Sequence, residues 1–265
     1  MTDYIPGFGS EEEHRLWVQA EVLAGPVFDR LPLIEHGRLL ELGCGVGAEL
    51  DQIHRRRPHL ELIGVELSPT HAAAARRRVG GIAGVVQADA TRLPLPDRSV
   101  DQAVTIWVLE HVPDPDDVVT EALRVLRPEG TLVCTEVDND SFAFDPPLPA
   151  ISEWWERFNR VQRDGGGDPV VGRRLARIAG DAGAEVLDER DVAVVASRSD
   201  PDRRGVLIDY IADLLASGAR TMIAAGAVHE SELVALEADL DRARRDPAVG
   251  WEYHAVQMVC RPGST

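Results

Sequence analysis

A chain of 265 residues with 44% hydrophobic content is long enough to bury a sizeable core, as one large domain or two small ones. A formal net charge of −17 and a pI near 4.8 argue against a nucleic-acid backbone as partner, because phosphate binding needs a dense basic face. No apolar run reaches the roughly 18 residues a membrane helix needs, and Cys44, Cys134 and Cys260 show neither pairing nor metal-ligand spacing, so the expectation is a cytoplasmic protein with buried thiols.

The N-terminal stretch, residues 1–36, is acidic at its start and is expected to form a helical cover. "GRLLELGC" is then a short apolar run ending in glycine, and "GAELDQIHRRRP" has helical spacing and stops at Pro58. "LELIGVEL" is a second strand. "SPTHAAAARRRVG" opens a helix with Ser68 as N-cap and Pro69 in the first helical position. The basic runs Arg55-Arg56-Arg57 and Arg76-Arg77-Arg78 lie in these helices and read as solvated faces. "AGVVQADA" and "VDQAVTIWVL" supply the third and fourth strands. "DPDDVVTEALRVLRPEG" is an amphipathic helix closed by Pro128 and Gly130, and "TLVCTEVD" a fifth strand. Such alternation implies a mainly parallel sheet with helices on both faces, binding ligands at the carboxyl ends of its strands.

Past residue 138 the rhythm changes. A Pro-rich loop and an aromatic helix with "SEWWERF" fill residues 138–168; residues 169–196 return to helix and strand; residues 197–250 hold two or three helices; and 251–261 form a last strand. No repeat or linker divides the chain, so residues 1–265 read as one domain, with 37–137 as its cofactor-binding half and the two insertions as a helical lid.

The chemistry concentrates at "GCGVG", a glycine-rich turn between strand and helix that lets a ligand approach the backbone closely. Alone it is ambiguous between a dinucleotide and another nucleoside cofactor. Glu66, about 20 residues on, offers a carboxylate to two ribose hydroxyls. Asp89 offers one to an adenine amino group, with the Ala90 N–H facing the ring. Taken in order, "ELGCGVG", "GVELSP", "QADATRLPLPDRSVDQAVTIWVLEHVPDP" and "EALRVLRPEGTLVCTEVD" resemble the successive motifs of class I S-adenosylmethionine-dependent methyltransferases, in the small-molecule branch whose fourth motif reads "LEHV". The resemblance is tight over residues 38–137 and architectural beyond.

It implies a doubly wound, Rossmann-like α/β fold with a mainly parallel seven-stranded sheet, whose last strand is antiparallel and inserted beside the sixth. It implies S-adenosyl-L-methionine as cofactor. Carried over, Glu41, Gly43 and Gly45 border its methionine portion, Glu66 holds the ribose, Leu67 packs on the adenine, Asp89 and Ala90 read the adenine edge, and Ile106 and Trp107 face the sulfonium. Trp107 departs from the small polar residue usual there. Tyr4, Arg15 and Gln19 precede the first strand, where related enzymes fold a helix over the cofactor; simple packing is an equal alternative. Glu41 has a helix-capping alternative.

A sulfonium makes its methyl electrophilic without help, so alignment is the enzyme's main task and a base matters only for a protonated acceptor. His111 is the candidate base, ahead of His14, His254 and Tyr4, with a structural hydrogen bond as its alternative role. No metal is expected, although Asp138 and Asp140 flank Asn139. Trp154 and Trp155 are candidate acceptor-binding residues. The expected reaction is in-line methyl transfer to a small organic molecule, such as a specialised metabolite, with no nucleic-acid or membrane partner; a homodimer is compatible. A nicotinamide-dependent oxidoreductase and a non-catalytic S-adenosylmethionine-binding subunit remain as alternatives.

Overall fold

The computed structural model describes residues 10–263. Its seven strands are β1 (Arg38–Leu42), β2 (Glu61–Glu66), β3 (Ala83–Gln87), β4 (Val100–Ile106), β5 (Leu126–Asp145), β6 (Ala184–Ala196) and β7 (Gly250–Pro262). They form one sheet in the order β3-β2-β1-β4-β5-β7-β6. Strands β1 to β5 pair in parallel, and β7 lies antiparallel between β5 and β6. The strand order reverses between β1 and β4, the position at which doubly wound sheets open a crevice at the strands' carboxyl ends. On β1 the pleat sends Leu39 into one core and Leu40 and Leu42 into the other, so both sheet faces are covered.

Helices α1 (Ser10–Val22), α2 (Ala48–Arg56) and α3 (Pro69–Val79) accompany the first strands, and α4 (Pro115–Val125) and α6 (Leu175–Asp181) the second core. Past β5 come α5 (Pro149–Asp164), α7 (Pro201–Ser217), α8 (Ala219–Ala224) and α9 (Glu230–Arg245); α5 and α7 both pack on α9. The Ser68 hydroxyl caps α3 by accepting from the His71 N–H at 3.3 Å.

Three boundaries differ from the sequence expectation. Helix α4 ends at Val125 rather than at Pro128, because Leu126 is already extended (ψ 141°) and pairs with Val100, while Pro128 disfavours helix at the residue before it. Residues 139–145, expected as loop, continue β5: after an irregularity between Asp138 and Ala143 the strand pairs with β7 again, Phe144 opposite Trp251. The apolar alternation of Phe142 and Phe144 has an aromatic surface to pack on, which the proline count obscured. The helix expected from residue 170 begins as a 3-10 turn, Val171–Arg174. Among the described residues no helix is long and apolar enough to cross a membrane.

Candidate active site

The loop between β1 and α2 carries Gly43, Gly45 and Gly47 at φ of 68°, 50° and 84°, the left-handed region where side chains are disfavoured. Their surroundings divide the labour. A Cβ on Gly43 would lie 2.7 Å from the Val108 methyls and one on Gly47 2.8 Å from Val79, so these two allow close packing. A Cβ on Gly45 would meet nothing within 4 Å; it would project into open space on the lining of a large cavity. That cavity holds about 1100 Å3 and runs from this loop to the aromatic residues of α5 and β7.

Glu66 closes the loop from the end of β2. Its Oε2 accepts from the Gly45 N–H at 2.9 Å and its Oε1 from the Ser68 N–H at 2.7 Å. Leu67, 52% exposed, lies beside it, an apolar side chain left uncovered on the cavity lining. Asp89 accepts from the Thr91 N–H and hydroxyl at 2.9 and 2.8 Å, which turns the chain so that Ala88, Asp89 and Ala90 all line the cavity. Glu41 is placed otherwise than expected: it lies beneath the loop, 1% exposed and off the lining, with no partner for its Oε2 among the described residues. Burial, then the nearby Glu49 and Glu66 carboxylates, push its pKa well up. Its neighbour Glu49 does reach the lining, its carboxyl raised by burial to about 7 despite Arg15 nearby. Sequence reasoning passed over it; its place in the first turn of α2, just after the glycines, was the available signal.

At the end of β4, Ile106 and Trp107 reach the lining. Trp107 adopts φ 55°, unusual for a large side chain, and its N–H donates to the Thr135 carbonyl at 2.9 Å. The turn that follows is held from β5 by Glu136, whose Oε2 accepts from Val108 and Leu109 N–H groups, both at 3.1 Å. Burial raises Glu136 to about 8. His111, in the 3-10 turn Leu109–His111, lines the cavity, its Nε2 3.5 Å from Glu110 Oε1.

Helix α1 covers the cavity from the other side. Arg15 donates from Nε to Glu12 and from Nη1 to Gln19, and Gln19 Oε1 also accepts from the Tyr210 hydroxyl of α7 at 3.1 Å. Arg15 and Gln19 therefore face the site; Tyr4 lies outside the described residues. The far end is an aromatic chamber. Phe142 stacks on Trp155 at 4.3 Å, Trp155 on Phe158 at 5.3 Å, and Trp251 on Tyr253 at 6.1 Å. The Trp155 indole donates to the Asn139 carbonyl at 2.7 Å. Trp154 corrects the expectation for the pair: about 100° round α5 from its neighbour, it is buried in the core and does not line the cavity.

Other candidates fall away from the site. His254 is clasped by Asp191 and Glu252 at 2.8 and 2.6 Å, and neither it nor His14 is on the lining. Asp138 and Asp140 are both ion-paired to Arg173. The residues that sequence reasoning missed, Asn139, Gln162, Tyr210 and Tyr253, come from insertions and the last strand, where no motif marks them.

Residues 40–134 match the methyltransferase-domain family. Over those residues the chain carries a methyltransferase domain, similar to the class I S-adenosylmethionine-dependent methyltransferases. Over 152 residues it is 41% identical to an uncharacterised 37.1 kDa protein in transposon TN4556 of Streptomyces fradiae, covering 56% of this chain and 43% of that one. It is 31% identical to the trans-aconitate 2-methyltransferase of Methylobacterium nodulans, over 59% of this chain and 54% of that enzyme. The chain thus spans about half the length of these curated relatives. Among solved structures, the cyclase SpnF superposes with a TM-score of 0.56 at 23% identity, covering 93% and 82% of the two chains, a likeness of fold.

The methyltransferase cofactor, S-adenosylmethionine, fits what the residues offer. Gly45 leaves open the space a Cβ would fill, and Glu66 and Asp89 end adjacent parallel strands at the same edge of the cavity.

Proposed function

We propose that this methyltransferase transfers a methyl group to a small organic acceptor held inside the cavity. The observation that carries the reading is continuity: one cavity joins the glycine loop to the aromatic chamber, so an acceptor and a cofactor can meet within it. When bound, S-adenosylmethionine supplies an electrophilic methyl on a sulfonium sulfur. Glu66 holds the ribose hydroxyls, Leu67 covers the adenine, Asp89 and the Ala90 N–H read its edge, and Gly43, Gly45, Ile106, Trp107 and Arg15 bound the methionine end, with Glu41 as a buried acid beneath. The acceptor's lone pair forms the new bond to the methyl carbon as the carbon–sulfur bond breaks, its electrons returning to sulfur. His111 receives the proton that a hydroxyl acceptor must lose. Residues 138–168 and 197–250 act as the lid, with Trp155 in the acceptor wall, and excluding water leaves alignment as the main source of rate.

The reading is tested by incubating the protein with methyl-labelled cofactor and a metabolite collection, and following label by mass spectrometry. A product heavier by one labelled methyl in place of hydrogen is expected. Calorimetry that shows tighter binding of NAD than of S-adenosylhomocysteine would overturn it, and cofactor binding without transfer would leave a non-catalytic binding subunit.

A further inference from the structure

Gln162 stands on the inner face of α5, 6% exposed and on the cavity lining. Its Nε2 donates to Glu110 Oε2 at 2.7 Å and to the Glu110 carbonyl at 3.3 Å. Both of those atoms accept only, so the amide cannot be turned over without placing oxygen against carboxylate. Its Oε1 is thereby fixed as an acceptor, and it is buried with no hydrogen-bond partner among the described residues. Several other polar groups of the cavity wall are committed to one another. Asn139 donates to Asn159 and accepts from the Tyr253 hydroxyl, the Trp155 indole donates to the Asn139 carbonyl, and Tyr210 donates to Gln19. Two indole N–H groups of the same lining, those of Trp107 and Trp251, are buried and unpartnered as well, so among the described residues the wall leaves both an acceptor and donors unmet, which points to a ligand group that donates and accepts, as a hydroxyl does.

Charge narrows what that donor belongs to. The basic side chains on the lining are Arg15, His71 and His111, all outside the lid, and Arg15 is already engaged by Glu12 and Gln19. None comes from α5, α7, β5 or β7, the elements that build the chamber, while Glu110 sets a carboxylate beside Gln162. A carboxylate or phosphate entering here would lose its water beside the Glu110 carboxylate, with no cationic side chain from the chamber's own elements to offset it.

Resting on the methyl-transfer reading, we propose that Gln162 is the specificity-determining residue for an uncharged, largely apolar acceptor that presents a hydroxyl group, with Glu110 as the positioning residue that fixes the amide. The hydroxyl donates to Gln162 Oε1, and the aromatic wall takes the remainder.

The test is calorimetry on the full chain with saturating S-adenosylhomocysteine, using four probes of one skeleton: a naphthol, the matching naphthoate, the aminomethylnaphthalene and methylnaphthalene. The naphthol should bind at least roughly tenfold more tightly than the naphthoate and the ammonium probe, the scale of one good hydrogen bond. Gln162→Met should remove about that factor for the naphthol and leave methylnaphthalene unchanged, with S-adenosylhomocysteine affinity in the same sample reporting an intact fold. Equal or tighter binding of naphthoate or ammonium probe, or no binding of any probe to the loaded wild-type protein, would overturn the proposal. Failure of S-adenosylhomocysteine itself to bind would instead remove the methyl-transfer reading beneath it.

Discussion

The two ends of the cavity are built by different rules. At the cofactor end, the groups are backbone-near and local: Gly45 and Glu66 are 21 residues apart yet hydrogen-bonded, because parallel neighbours β1 and β2 deliver their carboxyl ends to one place. At the chamber end, the wall is long-range and side-chain-made, with Trp155, Tyr210 and Trp251 brought together from α5, α7 and β7. The first end is fixed by topology and tolerates little; the second is fixed by packing and can be remodelled without disturbing the sheet. Chemistry shared by a family resides naturally in the first kind of construction and acceptor choice in the second.

The largest effect that would sharpen this contrast separates the two adjacent tryptophans. Trp154→Ala should cost about 3–5 kcal/mol of stability, the range for deleting a fully buried aromatic, and leave acceptor KM unchanged. Trp155→Ala should raise acceptor KM with cofactor affinity intact, since its ring and its bond to Asn139 shape the wall. Urea unfolding and steady-state kinetics on both variants check this, and an acceptor KM that moves with Trp154 alone would reverse the assignment.

Next in size is a pH effect at the cofactor end. Burial raises Glu49 to about 7, with Arg15 opposing and Glu41 nearby. The unfolded chain ionises this group near its ordinary value, so between there and about 7 the native state holds the extra proton, and stability falls as pH rises through that window. Glu49→Gln should remove this component, worth up to roughly 3 kcal/mol, leaving a flatter stability curve between pH 5 and pH 8 in thermal melts. An unchanged slope would place the Glu49 carboxyl in water rather than in the wall.

Glu66→Ala should weaken S-adenosylhomocysteine binding by about 1.5–3 kcal/mol, the range for hydrogen bonds to a charged group. Because Glu66 also accepts from Gly45 and Ser68, part of that loss comes from a loosened loop, which Gly45 amide-exchange protection would report separately. An unchanged dissociation constant in a folded variant would refute the ribose role.

How much of this was legible in the sequence follows the same division. The succession of strands, the glycine loop and the positions of Glu66 and Asp89 were readable because period, punctuation and carboxylate position are local signals, whereas the place of β7 beside the sixth strand came with the family resemblance. Strand β5 was cut short at Asp138, because Phe142 and Phe144 alternate like a strand only beside Trp251 and Trp155, which lie far along the chain. Glu41 was readable as ligand contact or helix cap, and its depth below the loop, off the cavity lining, carries no local signal. Gln162 and Tyr253 carry no motif at all; their meaning comes from what stands opposite them.

The smallest expected effect tests the cofactor end at its most delicate point. Gly43→Ala would drive a Cβ into Val108 and damage the fold, so it cannot isolate ligand binding. Gly45 is different: its φ of 50° costs an alanine only about 1–2 kcal/mol, and nothing within 4 Å obstructs the added methyl. Gly45→Ala should therefore fold with a loss of that order while filling space on the cavity lining, and S-adenosylhomocysteine affinity should fall by roughly tenfold, about 1.4 kcal/mol. Calorimetry and denaturant unfolding on one preparation decide between the outcomes. Unaltered affinity in the folded variant would mean that the cofactor keeps clear of this glycine, and that the middle left-handed position serves the turn rather than the ligand.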